Sequence, residues 1–105
     1  MIFNINGIEW KVEFVRPGSR YLRRSDGSIT IGMTNGLTHK VYIADILSGY
    51  MLDKVVAHEL VHCFMFSYDI NINIEQEEFM ADWVSSYGRD LVYLLDDLMR
   101  MIKTA

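Results

Sequence analysis

The segment VVAHELVHCFMF, residues 55–66, sets two histidines and a glutamate into a run that is otherwise apolar. Residues four apart on an α-helix share a face, with about 5–6 Å between their Cβ atoms. His58 and His62 can therefore offer imidazole nitrogens to one divalent ion, at the roughly 2.0–2.1 Å that zinc prefers. Glu59 is turned about 100° from His58. It is badly placed to share the ion but can reach a water in an open coordination position. Two ligands and a general base are the mechanical content of a His-Glu-x-x-His helix. Without a metal, the same histidines and glutamate would interrupt an apolar helix at a cost of several kcal/mol for every buried, unpaired polar group.

A catalytic zinc takes three protein ligands and keeps a fourth position open. The next acidic run, IEQEEFMADWV, begins twelve residues after His62, beyond the short turn SYDININ. Helices joined by so few residues run antiparallel and adjacent, which carries Glu75, Glu77, Glu78 and Asp82 towards the histidines. Glu78 and Asp82 share a face, and Glu75 lies on that face one turn earlier. The spacing favours Glu78 as third ligand, with Asp82 behind it to orient an imidazole N–H. Glu75 and Glu77 compete for the same place, and part of the run simply sets negative charge at a helix N-terminus.

These residues need a scaffold, and the first third of the chain supplies strands. IEWKVEF alternates Ile8, Trp10, Val12 and Phe14 with charged residues, the period of a half-buried strand. IFNI precedes it across Asn6-Gly7, a tight-hairpin dipeptide, and Pro17-Gly18 closes it. SITIGMT and HKVYIAD are two further strand candidates separated by Asn35-Gly36. After Asp45 the period becomes helical. Ser48 can cap a helix from about residue 49 to 68, and apolar residues on nearly every face from His58 onward predict burial all round. Asn73 with Gln76 resembles a capping box that opens a second helix. Its register, Phe79, Trp83, Tyr87, Leu91, Leu94, Leu98 and Ile102, passes through Gly88, where a kink can form. The pattern predicts one α+β domain over residues 1–105. It has a small, mostly antiparallel sheet of three to four short strands (residues ~1–45), an active-site helix (~49–68) and a long C-terminal helix (~74–102). Phe79, Met80, Trp83, Tyr87, Met99 and Met101 form a stripe that reads as core or as a dimer face. Tyr93, Leu94, Leu95 and Leu98 widen it, which suggests a homodimer through the C-terminal helix.

Half of the 105 residues are hydrophobic and 23% are charged, a globular rather than disordered balance. Apolar stretches are broken well short of a membrane span, and the N-terminus lacks a basic segment followed by an apolar block. The single cysteine, Cys63, excludes an internal disulfide and points to a reducing, cytoplasmic compartment. It sits about 100° round the helix from His62 and reads as a small core residue, not a ligand. Net charge is −4, divided unevenly: residues 1–49 carry six Lys/Arg and four Asp/Glu, residues 50–105 four and ten. The acidic half argues against nucleic acid as a partner. The basic cluster RPGSRYLRR, with Arg16, Arg20, Arg23 and Arg24, reads as a solvated loop, with a docking patch for an acidic partner as the sharper alternative.

AHELVHCFMF followed by EEFMADWVSSYG resembles the minimal zinc metallopeptidases of the gluzincin type, most closely the ImmA/IrrE-like proteins of phages and other mobile elements. The likeness covers roughly residues 29–100. It implies zinc on His58, His62 and Glu78, with Ala81 and Asp82 completing the second motif and Glu59 as the catalytic glutamate. It also implies a short strand before the active-site helix, which KVYIA fits, and a protein substrate such as a repressor. HELVH is not followed by a third histidine of the metzincin kind. No histidine follows His62, so the one that assists the oxyanion in larger gluzincins has no counterpart. His39, Tyr42 and Tyr87 are the candidates for that task, although His39 otherwise reads as an exposed loop residue. The sequence thus points to a zinc-dependent endopeptidase whose substrate, a protein or peptide, lies along an exposed strand edge at residues 40–44. The alternative is a zinc-bearing, catalytically silent interaction module, because 105 residues leave little room for a cleft.

Overall fold

A computed structural model describes residues 1–104. Strand β1 (Ile2–Ile5) turns through Asn6 and Gly7, both at positive φ, into β2 (Ile8–Val15), and the two pair antiparallel with Ile5 opposite Ile8. After a single 3-10 turn at Arg20–Leu22 come β3 (Gly32–Asn35) and β4 (Lys40–Ala44). β4 pairs antiparallel with β3 and parallel with β2, giving the order β1-β2-β4-β3. Two of the three pairings are antiparallel, so the sheet is mixed. Helices α1 (Gly49–Ser67) and α2 (Ile74–Thr104) follow, completing an α+β fold with a long C-terminal helix.

The core lies between the sheet and α1. Trp10, Ile43 and Cys63 are fully buried there, with Ile5, Val41 and Val55 around them. Trp10 Nε1 donates to Ser67 Oγ at 2.8 Å, which satisfies the one polar atom of the largest core side chain and ties β2 to the end of α1. On the opposite sheet face, Tyr42 and Ala44 pack on Leu22 of the 3-10 turn, as strand alternation requires.

Several local expectations change. The third strand starts at Gly32, not Ser28, because Thr30 N donates to Leu22 O and Arg23 bridges to Ile29, so residues 28–31 run against the arginine loop. Residues 40–44 are not an edge: β4 lies between β2 and β3, and β3 is the edge strand. Ser48 is the N-cap residue of α1, but its hydroxyl makes no cap bond. At α2 the Asn73 half of the capping box forms, Gln76 N donating to Asn73 Oδ1 at 2.8 Å. α1 is not buried all round, since Phe64 and Phe66 stay about half exposed. The apolar stripe of α2 is not core either. Of that helix only Ala81 is buried. No helix among the described residues is long and apolar enough to cross a membrane.

Candidate metal centre

The centre forms between α1 and α2, beside the strand β3 that packs on α1. The antiparallel helix pair sets His62 beside the first turn of α2 and His58 one turn further along it. His58 Nε2 and His62 Nε2 lie 3.3 Å apart, and the Glu78 carboxylate spans them, 3.2 Å from His58 Nε2 and 3.0 Å from His62 Nε2. These three residues are the group whose ligand atoms converge closely enough to hold a metal ion. Four ligands at ~2.05 Å in a tetrahedron stand about 3.3 Å apart, the spacing found here.

The outer nitrogens explain the orientation. His58 Nδ1 meets Asp82 Oδ1 at 3.0 Å, and His62 Nδ1 meets Glu77 Oε2 at 2.5 Å. Carboxylates accept, so a neutral ring at either position keeps its proton on Nδ1 and turns a bare Nε2 lone pair inward. In that form two lone pairs and a carboxylate face one another with no donor between them. Such a set is satisfied by a cation, so the donor chemistry fits a divalent ion as well as the spacing does.

Glu59 stands beside this set, 6% exposed, with Oε2 4.0 Å from His58 Nε2. Thr34 of β3 donates its hydroxyl to Glu59 Oε1 at 2.9 Å, fixing the carboxylate from the sheet side. Burial pushes the Glu59 carboxyl above its ordinary value; the Thr34 hydrogen bond and both imidazoles oppose the shift. Gly32 makes the approach feasible: a Cβ there would stand 2.7 Å from Val55 Cγ1 and 3.2 Å from Glu59 Oε2. The centre opens into a cavity of about 1000 Å³ lined by Gly32, Met33 and Thr34 on one bank and Glu77 and Glu78 on the other, so the small chain does have a cleft. Arg23 and Arg24 also line it, and neither has an ion-pair partner among the described residues.

Of the acidic candidates, Glu78 takes the ligand position, Asp82 and Glu77 back the two imidazoles, and Glu75 stays exposed and outside the cavity. Glu77's place behind His62 was missed: neighbouring residues on a helix point about 100° apart, and which of them meets α1 depends on the helix phase. Gly32 and Thr34 had no signal in the sequence, because each acts across 25 or more residues of chain or through an absent side chain. None of the three oxyanion candidates lines the cavity. Tyr42 is buried against Tyr21 on the far side of the sheet, Tyr87 is 56% exposed beside Trp83, and His39 packs half-buried between Trp10 and Phe66. Cys63 is buried, and burial pushes its thiol up to about 12, so it stays protonated in the core. No family profile, no curated protein and no solved structure matches the chain.

Proposed function

We propose that the chain is a zinc-dependent peptidase in which His58, His62 and Glu78 hold the ion and Glu59 is the general base. The observation that carries this reading is the convergence of two imidazole Nε2 atoms and a carboxylate within 3.0–3.3 Å, with a buried glutamate alongside. Zinc, when bound, supplies Lewis-acid activation of a water and of the scissile carbonyl. Glu59 takes the proton as that water attacks and returns it to the leaving amine, a traffic suited to a carboxyl raised above its ordinary value. Thr34 keeps the base in place throughout. Asp82 and Glu77 hold both imidazoles in the tautomer that leaves Nε2 free. The free edge of β3 borders the same cavity, so an extended peptide adds there by backbone pairing, with Arg23 and Arg24 at hand for substrate carbonyls or carboxylates. The resemblance to ImmA/IrrE-like peptidases agrees with this reading and points to a regulatory protein as substrate.

The test is Glu59→Gln assayed against a fluorogenic peptide library. The variant keeps one zinc and loses cleavage; cleavage at the wild-type rate sinks the assignment. A second reading, a zinc-bearing module that captures a partner without cutting it, is favoured by one observation: His39, Tyr42 and Tyr87 all lie outside the cavity. Under that reading the wild-type protein is inactive on every peptide and Glu59→Gln leaves partner capture unchanged.

A further inference from the structure

Helix α2 outruns the body it packs on. Arg89 Nη1 meets Asp53 Oδ2 at 2.6 Å, which sets residue 89 beside residue 53 of the antiparallel α1. α1 begins only four residues earlier, at Gly49. Residues from about 93 onward therefore project past it, some 12 residues and ~18 Å at 1.5 Å per residue.

The face of α2 turned to α1 carries the small residues Ala81, Ser85 and Gly88. The same row continues, in steps of four and three, as Val92, Leu95, Met99 and Ile102, and there it is 50%, 52%, 40% and 63% exposed. Steps of four and three make the seam of a coiled coil. Alongside it Leu91, Leu94, Leu98 and Met101 are 44–65% exposed. Eight large apolar side chains on one helix end make a patch of several hundred Å², at the limit of what a monomer leaves open and near the ~800 Å² that each partner gives to a standard interface.

We propose that two copies of this chain pair through these projecting ends, antiparallel about a two-fold axis, so that each end lies on the other's Val92–Ile102 row in line with α1. A parallel helix on this face would run into α1. An antiparallel one lies clear of α1 and stops at its first turn, where Tyr50 and Met51 are 72% and 46% exposed. The patch approaches the area each partner gives to a standard interface, and across a two-fold its flanks match themselves, which makes a second copy the occupant. With residue 93 beside residue 104 across the axis, Asp96 comes within about two residues, ~3 Å along the axis, of the partner's Lys103. The two-fold repeats that pairing of opposite charges. Leu98 meets its own copy on the other flank, so one flank is charge-matched and the other apolar.

The experiment combines mass and distance. Sedimentation at tens of micromolar protein is expected to give twice the 12.2 kDa chain mass. Leu95→Glu with Met99→Glu is expected to return the single-chain mass with unchanged helical circular dichroism. A nitroxide on Ser86→Cys, Cys63 being fully buried, is expected to give an intermolecular distance of about 40 Å. Paired parallel helices, 8–10 Å apart, would hold the labels within about 20 Å. The distance needs no destabilising substitution. A single-chain mass at all concentrations, a mass of three or more copies, a double variant that still pairs, or the short distance overturns the proposal.

Discussion

Glu77→Ala tests whether the centre is held from behind as well as from within. Glu77 Oε2 lies 2.5 Å from His62 Nδ1, and its side chain is only 21% exposed, so little solvent screens the contact. Removing it frees the imidazole to rotate and to move its proton onto Nε2, where a proton blocks metal binding. Carboxylates in this position are worth roughly 10–100-fold in metal affinity, about 1.4–2.7 kcal/mol. Asp82 makes the equivalent contact to His58 at 3.0 Å, but its side chain is 73% exposed. Water can replace Asp82, so Asp82→Ala is expected at or below the low end of that range. A competition titration of zinc against a chromophoric chelator separates the two. Glu77→Ala should weaken binding by at least about tenfold and by more than Asp82→Ala does. Equal affinity for wild type and Glu77→Ala, or the reverse order, would refute the reasoning from geometry and exposure.

The remaining expectations concern Glu59 and Gly32. Glu59 has a raised value in the folded chain, so its cost to stability is absent below the ordinary carboxylate value of 4.5 and grows as pH rises through the folded value. In chelator-treated protein Glu59→Gln should therefore melt at higher temperature than wild type at pH 7. The gain should fade as pH falls from the folded value towards 4.5 and be gone below it; a gain independent of pH would contradict the assignment of the shift to burial of this carboxylate. Gly32→Ala puts a methyl 2.7 Å from Val55 Cγ1. Overpacking of that kind costs about 1–3 kcal/mol, read by urea denaturation, and a loss below about 0.5 kcal/mol would show that β3 and α1 separate freely.

The parts of this molecule legible in the sequence are those governed by local geometry. His58 and His62 share a face because helices repeat every 3.6 residues, and both helix spans follow from their apolar register within a residue or two. The hairpin at Asn6-Gly7 was equally local. What sequence could not supply depends on chain segments meeting at long range. β2 and β4 pair in parallel across a 24-residue excursion (residues 16–39), which no turn signal announces, and that pairing makes β3 rather than β4 the edge beside the metal centre. Thr34 reaches Glu59 only because of it. The exposed stripe on α2 shows the same limit: periodicity marks which side chains share a face, not whether anything covers it.

Zinc content bears on all of this at once. After purification and dialysis against trace zinc, wild-type protein and Glu59→Gln should each carry one equivalent, while His62→Ala and Glu78→Ala carry essentially none. Zinc retained by His62→Ala, or absent from folded wild-type protein, would contradict the centre assigned to His58, His62 and Glu78.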